Sequence, residues 1–412
     1  MKRRALLLFL TLIFAGGMCA PAQQFALRDG DRVAFYGDSI TAQRFYTRFM
    51  EDFVLTRYPA LHVAFFNAGV PGDRVSGGYT GDVTLRLQRD LFPLQPTVVT
   101  VMLGMNDGYY IPFDPKYQSI YEDGYRKLLA SIQTALPQAR ITLISPTPYD
   151  EVTHGTEFPE YNQVIARYAA FDRELAASSH LSFSDFNQAI TTLDSAGLAK
   201  NSSLAALLVP DRIHPSESAH WVMAATLART WGMSPIVSSV HLDAAQPTPV
   251  ATESAQVSAL TQTDGKLAWT EIDNALPLPL DLENGMVLFV LGISDLADMD
   301  RQTLRVDNLS APRYILKIDG RAIASLSRDQ LAAGVNLALY DTPMEGQARD
   351  VDGIELKRTR LDEAHFILAI EDPKAHDAEA ATKAIEEKDA ALQQEQHKDA
   401  QPVAHHFELV PK

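Results

Sequence analysis

Short apolar runs and amphipathic segments alternate along the first 235 residues of the chain. The apolar runs have the length and β-branched content of buried strands, and one of them ends directly before Gly37; the others lie at 61–66, 97–103, 141–145 and 181–186. Segments with helical spacing of apolar residues lie between them, at 45–58, 117–136, 161–177 and 216–231. This alternation predicts an α/β fold in which a parallel sheet has helices on both faces.

The pattern changes after residue 235. Ser, Thr, Pro and Gln accumulate through Gln262, and short strand-like runs follow at 267–272, 286–291, 314–318 and 335–340. The dipeptide Asp319-Gly320 is typical of a two-residue β-hairpin turn. We therefore expect a catalytic unit over 23–235 and a smaller, β-rich accessory unit over 236–357, packed beside it.

The last part of the chain, residues 358–412, is expected to be a charged helical tail. Residues 373–400 are rich in Ala, Glu, Lys, Gln and Asp, and too few apolar positions are present for a long coiled coil. The composition favours an exposed or frayed helix, and a partner-binding helix is the alternative.

The N-terminus has the three regions of a secretory signal peptide, which we place at 1–22. Lys2-Arg3-Arg4 precede the apolar run 6–14, and small residues follow as far as Ala22. The apolar run is too short for a stable membrane span, so the mature chain is expected to be secreted or periplasmic, without a transmembrane segment. Acylation of Cys19, the only cysteine, would instead make a lipoprotein, but Gly16-Gly17-Met18 match that signal poorly.

The chain has a formal net charge of −16, with 52 acidic and 36 basic residues. Nucleic acid is therefore excluded as an expected partner, because phosphate backbones are bound through clusters of Lys and Arg. A neutral carbohydrate or a small acyl ester meets no such repulsion. The sequence says nothing of the oligomeric state.

Four short polar blocks follow one another in the catalytic part. The first is Gly37-Asp38-Ser39, the second is the glycine block 67–73 ending in Gly72-Asp73, and the third is Gly104-Met105-Asn106-Asp107. Each begins just beyond the carboxyl end of a predicted strand, where open α/β sheets place their sites. The fourth, Asp211-Arg212-Ile213-His214-Pro215, puts a carboxylate three residues before an imidazole.

The order and spacing of these blocks resemble the SGNH or GDSL hydrolase family, named for its serine, glycine, asparagine and histidine. The corresponding residues here are Ser39, Gly72, Asn106 and His214. The first block reads Gly-Asp-Ser-Ile, where the family name has leucine, and the nucleophile position is intact. The resemblance covers about residues 30–235 and implies a flavodoxin-like three-layer α/β/α fold with a central parallel sheet.

These residue types fit ester hydrolysis. A serine hydroxyl becomes a nucleophile when a neutral imidazole takes its proton, and a carboxylate such as Asp211 fixes the tautomer of that imidazole. The tetrahedral oxyanion needs donors already directed at it, for which the Ser39 and Gly72 backbone N–H groups and the Asn106 amide are candidates. Since no P-loop, Gly-x-Ser-x-Gly elbow or paired His or Cys spacing occurs, no cofactor and no metal is expected.

The sequence therefore predicts a secreted serine esterase of the SGNH type that removes small acyl groups such as acetyl, with acylated carbohydrate as the favoured substrate. Two alternatives stay open. An acyltransferase would use the same triad with a sugar hydroxyl in place of water. A non-catalytic envelope protein would bind carbohydrate through its β-rich unit, but the intact set of catalytic residue types argues against it.

Overall fold

The computed structural model describes residues 25–155, 157–368 and 378–412. The predicted signal peptide and Cys19 lie outside the described residues. Within the described residues no helix is both long enough and apolar enough to cross a membrane.

In the catalytic part each strand is followed by one to three helices, apart from a short two-stranded hairpin. In chain order they are β1 Arg32–Gly37, α1 Ser39–Ala42, α2 Phe45–Arg57, β2 Ala64–Gly69, β3 Gly77–Gly78, β4 Gly81–Asp82, α3 Val83–Arg86, β5 Val98–Met102, α4 Pro115–Ala135, β6 Arg140–Ile144, α5 Tyr161–Ser178, β7 Ser182–Ser184, α6 Phe186–Lys200, α7 Ser202–Ala205 and α8 Glu217–Thr230.

The second part of the chain is richer in strands. Its elements are β8 Ile236–Asp243, β9 Ala251–Glu253, β10 Ala255–Thr263, β11 Lys266–Asp273, α9 Gly285–Leu291, β12 Arg301–Asp307, β13 Arg313–Ile318, β14 Arg321–Ser327, α10 Arg328–Ala333, β15 Val335–Asn336, α11 Pro343–Phe366, α12 Ala378–Asp399 and β16 His405–Pro411.

The first part forms the expected parallel sheet, in the strand order β2-β1-β5-β6-β7. Counting only the strands of this sheet, the order is 2-1-3-4-5, which is the flavodoxin-like arrangement. The crossover through α2 runs from β1 outward to β2, whereas those through α4 and α5 run the opposite way along the sheet. Because such crossovers are right-handed, α2 lies on one face and α4 and α5 lie on the other. The predicted α/β/α fold is confirmed.

The second part contains two further sheets around a separate apolar core. One has the order β10-β11-β16-β13-β14 and the other β15-β12-β8-β9. Trp269 on β11 stacks on Phe407 on β16, and both side chains are buried. Asp319 and Gly320 connect β13 to β14 with φ of 50° and 80°, as a type I′ hairpin turn requires.

Two of the strand predictions were wrong. Residues 286–291 form α9, whose N-terminus is capped by the Asn284 side chain, which accepts from the Met286 N–H at 2.9 Å. Helix α9 and the residues around it pack into the core of the first part. Residues 335–340 form only the two-residue β15, followed by a 3-10 turn at Leu337–Leu339. Short apolar runs do not distinguish a buried strand from a buried helix turn.

The region 358–412 contains the expected charged helix, since α12 covers Ala378–Asp399 and is largely exposed, but it is more than a helical tail. Helices α11 and α12 pack on one another, and α11 also packs on α2 of the catalytic part. The last strand, β16, pairs with both β11 and β13 in the middle of its sheet. The end of the chain is therefore integral to the second part, whose core cannot be completed without it.

Candidate active site

Three of the four polar blocks emerge from adjacent strands at one edge of the parallel sheet. Gly37 at the end of β1 is in register with Gly69 at the end of β2 and with Met102 at the end of β5. Ser39 lies two residues beyond Gly37, Gly72 lies three residues beyond Gly69, and Asn106 lies four residues beyond Met102. Parallel pairing thus brings the first, second and third blocks to one edge of the sheet.

Ser39 is the first residue of α1, directly after a turn that only glycine fits. A Cβ at Gly37 would clash with Thr41 of α1, so the helix can begin immediately after the strand only because that position is glycine. The Asp38 side chain caps α1 by accepting from the Ile40 N–H at 3.0 Å. Burial raises the pKa of Asp38 to about 7, although that hydrogen bond opposes the shift.

The fourth block completes a chain of hydrogen bonds to Ser39. His214 Nε2 lies 2.8 Å from Ser39 Oγ, and His214 Nδ1 lies 2.7 Å from Asp211 Oδ2. The other Asp211 oxygen accepts from the backbone N–H groups of Ile213 and His214, at 2.9 and 2.7 Å. A carboxylate at Nδ1 favours the tautomer whose Nε2 can accept the serine proton.

The Asp211 carboxylate is stabilised as an anion. Partial burial opposes its charge, but the hydrogen bonds from the His214 backbone and ring and from the Ile213 backbone outweigh that effect and lower its pKa. Because folding lowers the pKa of Asp211, the contacts of its carboxylate stabilise the fold above the ordinary pKa. That stability is lost as pH falls through the lowered pKa. Asp211 therefore stays charged at neutral pH.

Gly72 is exposed and has a φ of +72°. A Cβ built there would meet no atom within 4 Å, so crowding does not explain the glycine. The left-handed backbone at this position does favour glycine. The open space beside Gly72 is available to another molecule.

Asn106 is connected to the glycine block by its side chain. Its Nδ2 donates to the backbone carbonyl of Asp73 at 3.0 Å, and its backbone carbonyl accepts from Arg74 Nε at 3.2 Å. The Arg74 guanidinium also lies over the Tyr109 ring, 4.5 Å from its centroid. These contacts fix the third block against the second.

The aspartates that end the second and third blocks, Asp73 and Asp107, make buried contacts that hold the loops of the site. Asp73 is buried and pairs with Arg86 at 2.9 Å, and Arg86 Nη2 also donates to the Ala68 carbonyl. Asp107 accepts from the Val75 N–H at 3.1 Å, and burial raises its pKa to about 8. Sequence reasoning named both carboxylates but missed Arg86, whose place in the helical turn gave no sign of burial.

Three further findings concern the surroundings of the site. His220 on α8 is fully buried, and burial lowers its pKa to about 3. Within the described residues, no group of three or more His, Cys, Asp or Glu side chains is arranged to hold a metal ion. A cavity of about 330 Å³ lies between β2 and the α11 and α12 pair, and its lining includes neither Ser39 nor His214.

Comparison with known proteins identifies the family of the first part of the chain. Residues 35–222 match the model of the GDSL-like lipase/acylhydrolase family. This part of the chain belongs to that family. An acetylxylan esterase from Geobacillus stearothermophilus is 26% identical over 225 residues, which are 49% of this chain and 94% of that esterase. Family and relative together identify the chain as an esterase.

A solved structure resembles the whole chain. A gut microbial diltiazem-metabolizing enzyme superposes with a TM-score of 0.82 at 24% identity, covering 95% of this chain and 99% of that one. At this identity the likeness shows the fold alone. The combination of an SGNH sheet with the β-rich part and the C-terminal helices is therefore shared with another solved protein.

Proposed function

We propose that this esterase hydrolyses carboxylic esters through a triad of Ser39, His214 and Asp211. The observation that carries the proposal is the continuous hydrogen-bonded chain from Ser39 Oγ through both ring nitrogens of His214 to Asp211. His214 takes the proton as Ser39 attacks the ester carbonyl, and Asp211 stabilises the imidazolium that forms. The proton then passes to the leaving alcohol, and water activated by His214 cleaves the acyl-enzyme.

The oxyanion of each tetrahedral intermediate is stabilised in this proposal by three donors. They are the backbone N–H of Ser39 at the start of α1, the backbone N–H of Gly72 and the Asn106 side-chain amide. The adjacent positions of their strands, the positive φ of Gly72 and the fixed Asn106 side chain support this assignment. Removing one such donor typically reduces the rate by about 10²–10³-fold.

We infer that the acyl group is short and that the natural substrate is an acylated carbohydrate met after export. The acetylxylan esterase relative supports a short acyl group on a sugar. The excess of acidic residues favours a neutral substrate over an anionic one. The triad is partly open to solvent, with His214 at 29% and Asp211 at 55% side-chain exposure, so water can reach the acyl-enzyme.

Hydrolysis of p-nitrophenyl acetate, butyrate and octanoate by the mature chain tests the proposal. We expect the acetate to be turned over fastest, with Ser39→Ala lowering kcat by at least about 10⁴-fold. Ser131→Ala, on the exposed part of α4, is the matched control and should behave as the unaltered chain. Substantial turnover by Ser39→Ala would refute the nucleophile, and a preference for octanoate would refute the short acyl group.

A further inference from the structure

Both polar atoms of the Asn106 side-chain amide make hydrogen bonds, and one of the two Nδ2 hydrogens has no partner among the described residues. The Nδ2 group carries two hydrogens, one of which goes to the Asp73 carbonyl at 3.0 Å. The Oδ1 atom accepts from the Tyr110 hydroxyl at 3.0 Å. In the reversed orientation, Oδ1 would face the Asp73 carbonyl and lone pairs would oppose lone pairs. The two partners therefore select one orientation.

On the basis of the proposed function, we propose that Tyr110 is a positioning residue for ester hydrolysis. Its hydroxyl holds the Asn106 amide in the orientation that leaves one N–H free for the oxyanion. Tyr110 acts on the reaction only through Asn106. Nothing in the polar blocks of the sequence points to this tyrosine, which lies four residues after the asparagine.

The backbone explains how Tyr110 reaches back to Asn106. Tyr109 and Tyr110 have φ of 54° and 57°, so two successive bulky residues lie in the left-handed region. Such residues are costly and persist where surrounding contacts hold them. The Tyr110 ring packs on Phe158 and Tyr161, with centroids 5.4 and 4.8 Å away. The loop is thus folded against a fixed aromatic cluster.

The Tyr110 hydroxyl is suited to be a constant donor. Burial raises its pKa above the ordinary range, and the carboxylates of Asp38 and Asp211 raise it further. The phenol therefore keeps its proton at neutral pH. Loss of this hydroxyl would leave Oδ1 without its partner and release the amide to rotate about the last side-chain bond.

Replacing only the hydroxyl tests the proposal. For Tyr110→Phe we expect kcat with p-nitrophenyl acetate to fall by about tenfold and KM to stay unchanged. This loss is smaller than the loss expected when the Asn106 amide donor itself is removed. Tyr149→Phe is the matched control: its ring belongs to the same aromatic cluster, its hydroxyl is buried without a hydrogen-bond partner among the described residues, and its activity should stay within about twofold. Thermal unfolding of both variants checks that the cluster is intact.

A double-mutant cycle with Asn106→Ala separates positioning from a structural role. Asn106→Ala alone should reduce kcat by about 10²-fold or more, and adding Tyr110→Phe should reduce it no further. A further tenfold loss in that background, an unchanged kcat for Tyr110→Phe, or a raised KM with normal kcat would each overturn the proposal. Failure of the triad itself is seen separately, as activity remaining in Ser39→Ala.

Discussion

At the scale of single residues, Gly72 tests the oxyanion site most directly. Alanine there would introduce no clash, but it would occupy the left-handed region at a cost of about 1 kcal/mol and bias the backbone away from φ +72°. Because the Gly72 N–H is one of the proposed donors, we expect Gly72→Ala to lower kcat by at least about tenfold.

Gly30 provides the control for that experiment. It has a φ of +79°, and a Cβ there would also meet nothing within 4 Å, but it lies in the turn before β1. Gly30→Ala should lose a similar free energy of unfolding in urea and keep full esterase activity. Equal activity losses in the two variants would mean that backbone strain, and not the lost donor, lowers the rate.

The sequence indicated the arrangement of the proposed site best where one short motif carries the geometry. Ser39 follows an apolar strand, and Asp211 and His214 stand three residues apart, so the hydrogen-bonded contact of these side chains could be expected from residue type and spacing. The link between Tyr110 and Asn106 was not legible, because it depends on two bulky residues adopting a left-handed backbone. Residue pattern carries no signal for such strain, which arises from packing elsewhere.

At the scale of elements, a buried carboxyl on α6 makes the stability depend on pH. Asp194 is buried, neither of its oxygens has a hydrogen-bond partner among the described residues, and burial, with Asp150 nearby, raises its pKa to about 8. A raised carboxyl pKa means that the folded chain holds the proton more tightly than the unfolded chain. The contribution of protonated Asp194 to stability is therefore fully present below about pH 4 and is lost as pH rises towards 8.

Asp194→Asn should remove that loss. We expect its midpoint of thermal unfolding to exceed that of the unaltered chain by roughly 2–5 °C at pH 8, and the difference to vanish near pH 4. Asp123→Asn, on the exposed part of α4, should differ by less than about 1 °C at either pH. A difference that did not change with pH would mean that the effect comes from packing, not from ionisation.

Elements were predicted correctly where pattern and length agreed. The long amphipathic helices α2, α4 and α5 and the hairpin at Asp319 lie where the sequence placed them. The six apolar residues 286–291 were misread, since a run of that length fits a buried strand or two buried turns of helix. Only the capping asparagine, Asn284, could have favoured the helix, as asparagine is a preferred N-cap residue.

At the scale of the whole molecule, charged contacts join the C-terminal helices to the catalytic part. Arg44, at the N-cap of α2, pairs with Asp362 of α11 at 2.7 Å. Farther along, Arg358 of α11 contacts Glu51 of α2 and pairs with Glu355 and with Asp389 of α12, both at 2.9 Å. The composition of 373–400 indicated a solvated helix because polar residues usually face water; here Asp389 and Gln396 instead contact Arg358 of α11.

The Arg358 contacts predict how firmly the two parts are joined. Arg358 is largely buried, with 7% of its side chain exposed, and Arg358→Met would leave three carboxylates without their shared cation. Such a loss costs about 3–5 kcal/mol, so we expect a marked fall in the free energy of unfolding in urea at pH 7. Arg305→Met is the control, because the exposed ion pair of Arg305 with Asp307 contributes at most about 1 kcal/mol.

The pH dependence of this loss distinguishes its causes. If unpaired carboxylates are responsible, the penalty of Arg358→Met should shrink as pH falls towards 4, because protonation then removes the buried charge. Adding Glu51→Gln should recover part of the stability at pH 7 for the same reason. A penalty that was constant with pH and unaffected by Glu51→Gln would mean that Arg358 joins the two parts by packing of its side chain, not by its charge.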